Sequence, residues 1–215
     1  MATETRPLRA DAERNRQAII CTAGRLFAAE GSDVTLERIA MEAGVGVGTI
    51  YRRFRTIEEL IAVVFEAKMT RYADRTEEAA ERALTDAWPA FRDYVLFILE
   101  QQADDLAFSD VILSPRRGTE LFRQQTRRAL RASIHLVDRA KAAGAIRADF
   151  DHSDLYLLMN ANAGLVRATR RSAPDAWMRL GQYLLQAFRH PAADGELVPP
   201  SVILGRVHAS ARSRG

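Results

Sequence analysis

The sequence predicts an all-α protein, with an N-terminal three-helix domain holding a helix-turn-helix and a larger C-terminal helical bundle after it. Three observations carry this reading. Apolar residues recur at helical spacing through almost every segment, no stretch alternates apolar and polar residues long enough for a sheet, and Gly, Thr and Asp stand where helix ends need them. At 215 residues the chain can bury a substantial core. A composition that is 47% hydrophobic and 27% charged excludes a disordered chain. The formal net charge of +3 is too small to signal nucleic acid by itself, so the placement of the arginines says more.

The elements follow in order. Residues 1–10, with Arg6 and Arg9, read as a flexible basic arm. From about Asp11 a helix carries Ile19, Ala23, Leu26 and Phe27 on one stripe until Gly31 ends it. Thr35 caps "LERIAMEA", a short helix with Glu37 in its first turn, where the dipole favours an acid. Gly44 stops it, and a second short helix, roughly Val47 to Arg53, begins after a tight turn. Thr56 and Glu59 form a T-x-x-E capping box that opens "IEELIAVVFEAKMTRY".

Beyond residue 80 the helices lengthen. Trp88, Phe91, Val95, Ile98 and Leu99 make one stripe and Phe122, Ala129, Leu136, Val137 and Ala140 another, with "SPRRG" at 114–118 breaking the chain between them. Gly144 ends the second stripe. Asp151 or Ser153 caps "DLYLLMNANAGLVRATR", and Pro174 falls in the first turn of the last helix. Residues 191–215 read as a loosely ordered tail whose "VPPSVIL" is apolar enough to dock on the body. The expected domains are therefore 11–56 for the helix-turn-helix and 57–190 for ligand binding and dimerisation.

The segment "GVGVGTIYRRF", residues 44–54, raises the functional question. A dinucleotide fingerprint must follow a buried strand, but "TLERIAMEA" before it has helical period, and no Lys follows Gly48 as a phosphate-binding loop requires. A helix-turn-helix accounts for each residue instead. Gly44 supplies positive φ at the turn, while Ala40, Val45, Ile50 and Phe54 close a small core against Leu26 and Phe27. Gly46, Val47, Thr49, Tyr51, Arg52 and Arg53 are left on the outward side, short, flat or basic, as a helix entering the major groove requires.

Residues 16–60, "RQAIICTAGRLFAAEGSDVTLERIAMEAGVGVGTIYRRFRTIEEL", resemble the DNA-binding domain of the TetR family of bacterial transcriptional regulators. The resemblance implies a homodimer on a palindromic operator and a body that binds a small molecule to release it. By position it implies that Thr35 holds a phosphate at a helix N-terminus, that Tyr51 bonds one through its hydroxyl, and that Arg52 and Arg55 do so by charge, with Arg53 beside them. Base reading falls to Gly46, Val47 and Thr49. The family often has serine at 46, lysine or arginine at 47 and lysine at 57, so Gly46, Val47 and Ile57 depart from its pattern. Fewer guanine contacts and more contact with thymine methyls are expected.

In the larger domain, aromatic and sulfur-bearing residues with polar groups inside apolar stripes suit a mostly apolar effector pocket, expected at Met69, Trp88, Phe91, Tyr94, Phe122, Thr126, Met159 and Asn160. Asn162, Ser133 and His135 are further polar residues of this kind. An uncharged or weakly polar, aromatic or acyl effector fits them. The dimer interface is expected on the last two helices, at Ala161, Gly164, Ala168, Trp177, Gly181, Leu184 and Phe188, although the same stripes read equally as intramolecular core.

Other classes have less support. His135, His152, His190 and His208 lack metal-ligand spacing and Cys21 has no evident base, so no catalytic role, metal or cofactor is expected. A helical protein-binding adaptor would show long stripes too, yet would not need the arrangement from Thr35 to Arg55. A lone cysteine and the absence of a signal peptide suit the cytoplasm, with double-stranded DNA, a small effector and a second copy as partners and no membrane.

Overall fold

Helix-end chemistry divides the chain. The computed structural model describes residues 5–113 and 119–189. Among these the order is α1 (Thr5–Glu30), α2 (Leu36–Glu42), α3 (Val47–Arg53), α4 (Ile57–Arg82), α5 (Ala87–Asp104), α6 (Leu106–Leu113), α7 (Glu120–Ala142), α8 (His152–Thr169) and α9 (Ala176–Arg189), with no strand. Two compact units result. Of the described residues, the first holds 5–71, 105–113 and 119–126, and the second holds 72–104 and 127–189.

The first unit is organised by an aromatic row. Phe27 of α1 stacks on Phe65 of α4 at 6.0 Å between ring centroids, and Phe65 meets Phe108 of α6 at 5.7 Å. Asp110 of α6 accepts from the Ser32 hydroxyl at 3.1 Å, pinning α6 beside the end of α1. These contacts are why the units do not divide between Thr56 and Ile57, where the sequence suggested a boundary. The break between α5 and α6 was not expected either. Its cause is Asp105, whose carboxylate caps α6 by accepting from the Phe108 backbone N–H at 3.0 Å.

Two terminal expectations change. Residues 5–10, expected as a flexible arm, belong to α1, since Pro7 sits in the first turn where no intrahelical N–H is needed. Pro174 lies two residues ahead of α9 and not within it. The 191–215 tail lies outside the described residues.

The second unit packs α5 against α8 and α9. Phe91, Phe150 and Phe188 meet edge to face, with Phe150 and Phe188 at 4.9 Å. Gly181 lets α9 approach α5 closely, because a Cβ there would stand 2.7 Å from Leu99 Cδ1. Asp151 caps α8, and with Asp154 it forms the capping box.

The turn between α2 and α3 fixes the rest of the first unit. Gly44 has φ +66°. That left-handed residue lets the Gly44 N–H reach Met41 O at 3.3 Å and the Val45 N–H reach Ala40 O at 3.0 Å, a Schellman ending for α2. Gly48 has no such requirement, since a Cβ there meets nothing within 4 Å and its φ is not positive. Gly44→Ala is expected to lower stability by about 1–2 kcal/mol through backbone strain. Gly48→Ala, inside α3, is expected to raise it by up to about 1 kcal/mol. Urea unfolding of the two variants beside the parent checks both signs.

Candidate functional site

In the first unit, α3 is held by its inner side alone. Ile50 is 0% exposed and Phe54 4% exposed, whereas Val47 is 48% and Tyr51 44% exposed. Thr49 is half-buried, and Gly46, Arg52, Arg53 and Arg55 are exposed. The predicted outward set is therefore exposed or half-buried all round the helix except at Ile50, and Tyr51 is not a core aromatic. Arg52 donates to the Thr49 hydroxyl at 3.1 Å, which couples a charged side chain to a methyl-bearing one. Gly46 starts α3 through its carbonyl, accepting from the Thr49 N–H at 2.8 Å.

Thr35 caps α2 by accepting from the Arg38 N–H at 3.2 Å. The hydroxyl in turn donates to the Glu37 carboxylate, one of the contacts that lower the Glu37 pKa. Glu59 N–H reaches Thr56 Oγ1 at 3.2 Å, and the Glu59 carboxylate accepts from the Arg55 N–H at 2.8 Å, one residue before the cap position expected for it.

One residue of this face escaped the sequence reading. The Tyr51 hydroxyl donates a short hydrogen bond to Glu37. Tyr51 lowers the Glu37 pKa through this bond, and Glu37 in turn raises that of Tyr51. Glu37 thus stays charged at neutral pH beside the phenol expected to meet a phosphate. Its position in the first turn of α2 was legible; its partner was not.

In the second unit a chain of polar groups, buried except for the half-buried His152, crosses four helices. The hydroxyls of Tyr72 (α4) and Tyr94 (α5) lie 3.5 Å apart, Thr76 donates to Tyr72 O at 2.7 Å, and Ser133 (α7) bonds His152 Nε2 (α8) at 2.8 Å. Burial pushes both phenol pKa values up, that of Tyr72 well above the ordinary value. Both phenols therefore stay uncharged, beside the Thr76 and Ser133 hydroxyls. Nearby in sequence, Asn162 is fully buried, donating to Leu99 O at 3.2 Å and Gln102 Oε1 at 3.0 Å, while its own Oδ1 has no partner.

The expected effector residues are not brought together as one set. Met69 and Phe122 are buried in the first unit, where the Thr126 hydroxyl is turned onto Phe122 O at 3.0 Å. In the second unit, Tyr94 belongs to the hydroxyl chain and Met159 is half-buried. The other three lie apart from these: Phe91 is fully buried in the aromatic cluster, Trp88 lines a surface groove, and Asn160 is exposed with its amide donating to Tyr156 O at 2.7 Å.

The expected interface residues also divide. Ala161, Gly164 and Ala168 are exposed along α8, and Leu184 is half-buried on α9. Gly181 is buried against Leu99, and Phe188, half-buried, meets Phe91 and Phe150 edge to face within the chain. Trp177 lines the same groove as Trp88. Among the described residues no helix is long and apolar enough to cross a membrane.

Comparison with known proteins places these features. Residues 19–64 match the model of the bacterial regulatory proteins, tetR family. An HTH-type transcriptional regulator of Staphylococcus aureus (strain USA300) is 42% identical over 60 residues, 27% of this chain and 32% of that protein. The chain thus spans about a third of the length of the curated relatives it matches. The fold is shared with the fatty acid degradation regulator FadR from Bacillus halodurans, at a TM-score of 0.54 and 22% identity over 81% of this chain and 100% of that one. It is shared also with a TetR family transcription regulator from Marinobacter aquaeolei VT8, at a TM-score of 0.55 and 18% identity over 85% and 98% of the two chains. FadR from Bacillus subtilis, solved in complex with stearoyl-CoA, gives a TM-score of 0.53 at 22% identity, covering 79% and 97%. The match to residues 19–64 falls on α1 to α4 and encloses the turn at Gly44 and the open face of α3, so this segment carries the domain of the bacterial regulatory proteins, tetR family.

Proposed function

We propose that this chain is a sequence-specific DNA-binding repressor, held as a homodimer on a palindromic operator in the cytoplasm and released by a small, largely apolar effector. The observation that carries the reading is the open face of α3. Val47, Thr49, Tyr51 and Arg52 point outward from a helix whose inner side is fixed by Ile50 and Phe54. Val47 and the Thr49 methyl meet thymine methyls, and the bare backbone at Gly46 allows close approach to a groove edge. Arg52, Arg53 and Arg55 hold phosphates and set the register, and Thr35 and Tyr51 join them by turning their hydroxyl protons from Glu37 to the phosphate.

The effector reading rests on the buried hydroxyls of Tyr72, Thr76, Tyr94 and Ser133. Buried hydroxyls without charge orient a weakly polar ligand, and they would repel no acyl or aromatic body. The complex that binds stearoyl-CoA in a protein of the same fold makes an acyl effector a reasonable first choice. An effector that prefers a geometry with mis-spaced reading heads lowers DNA affinity by its differential affinity for that state, and α4 is the lever. Dimerisation falls to the exposed face of α8, where Leu157, Ala161, Gly164 and Ala168 follow one another at helical spacing and Leu157 is 51% exposed.

Three outcomes are expected. In fluorescence anisotropy with DNA from the chain's own upstream region, Arg52→Ala weakens binding similarly across sequences and flattens the log–log salt dependence by about one unit of slope; a sequence-selective loss would give Arg52 another role. Glu37→Gln keeps an acceptor for Tyr51 but removes a negative charge beside the phosphate path, so affinity rises severalfold at low salt; an unchanged affinity would place Glu37 away from the DNA. Ala161→Glu buries a charge at the two-fold and shifts the protein from dimer to monomer in sedimentation at micromolar concentration, with operator binding lost in parallel.

A further inference from the structure

Outside the hydroxyl chain, the second unit has a groove of about 680 Å³ lined by α4, α5 and α9. Both of the chain's two tryptophans, Trp88 and Trp177, line it. Its apolar wall continues with Phe97 and Leu96, and its rim carries Arg75, Arg92 and Arg189.

The three guanidiniums are not equivalent. Arg75 stands 5.9 Å from the Phe97 centroid and pairs with Glu78 at 2.8 Å. Arg92 pairs with Asp93 at 2.7 Å, and Asp93 is shared with Arg82 at 3.1 Å. Arg189 stacks over Trp88 at 4.9 Å and makes no ion pair among the described residues. A planar cation on an indole face is already oriented, and its edge donors point away from the ring.

From this we infer that the groove is a second ligand site, taking a small planar organic anion of the aryl carboxylate class, with the ring against the tryptophans and the carboxylate on Arg189. The volume lies in the range that encloses small ligands, and apolar walls with a few placed polar groups are what such sites use. A guanidinium fork matches a carboxylate in two parallel hydrogen bonds. Glu100 on the same rim disfavours a second negative charge, so the ligand is a monoanion.

The groove occupies its own flank of α9. Met178, Gln182, Gln186 and Arg189 face it, while Leu180, Tyr183, Leu184 and Ala187 lie on the other flank by helical geometry. A dimer built on α8 and that second flank leaves the groove open. The inference therefore goes beyond the proposed repressor function and does not require it.

The test uses the full chain and 1-naphthoate, with uncharged 1-naphthamide as comparison, read by tryptophan fluorescence. Saturable quenching by naphthoate is expected, with naphthamide at least tenfold weaker. Arg189→Gln should cost naphthoate at least tenfold while moving naphthamide less than twofold, and circular dichroism should show the variant folded. Ser133→Ala should leave naphthoate binding unchanged. Absence of saturable quenching, equal affinity for the two probes, or loss of binding in Ser133→Ala would each overturn the assignment. So would at least tenfold tighter binding by a chain ending at Arg189, which would make residues 190–215 the occupant.

Discussion

The rotational setting of α3 is the constraint on which its open face depends. Successive helical residues differ by about 100°, and only one residue within α3, Ile50, is buried. A turn longer or shorter by one residue would carry Ile50 into solvent and Tyr51 or Thr49 inward. Hydrogen bonds on both sides of the turn prevent this: Gly44 and Val45 close α2, and two residues later the Gly46 carbonyl opens α3 by accepting from Thr49 and Ile50. Phe54, 4% exposed just beyond the helix, fixes the far end. The outward face is thus a consequence of two buried side chains and one left-handed glycine, and its own residues contribute little to holding it in place.

This explains which parts were legible in the sequence. A helix end is a local event, decided within about four residues by a cap or a positive φ. Thr35, Gly31, Gly44, Thr56, Asp151 and Gly144 could therefore be read directly, and α3 begins and ends where the pattern placed it. The break before α6 was local too, since Asp105 caps Phe108 three residues on. It was hidden because Leu99, Ala103, Leu106 and Ala107 keep helical spacing across the polar stretch "EQQADD" at 100–105.

Partnerships across helices were not legible, because no local rule contains them. Glu37 and Tyr51 are 14 residues apart in sequence, Ser133 and His152 are 19 apart, and Asn162 and Gln102 are 60 apart. Each pair forms only after the helices pack. The same limit blurred interface and core. Ala161 and Gly181 are both small residues on apolar-faced helices, yet Ala161 is exposed while Gly181 admits the Leu99 side chain. Periodicity identifies a face as apolar; which neighbour covers it depends on the rest of the packing.

Charge separates the two ligand chemistries proposed for the second unit. The hydroxyls from Tyr72 to Ser133 lie in the interior, and burial keeps both phenols protonated. An anion entering there would lose its hydration and meet only neutral dipoles, a transfer that costs far more than a hydroxyl pair returns. At the α5–α9 groove, water still reaches the rim, so a carboxylate keeps part of its hydration while gaining a guanidinium. An uncharged acyl or aryl body, by contrast, loses nothing by full burial and gains in proportion to the area it hides. The two proposed sites are therefore selective in opposite senses: a carboxylate is penalised inside the bundle and gains Arg189 at the groove, whereas an uncharged body has no such gain at the rim.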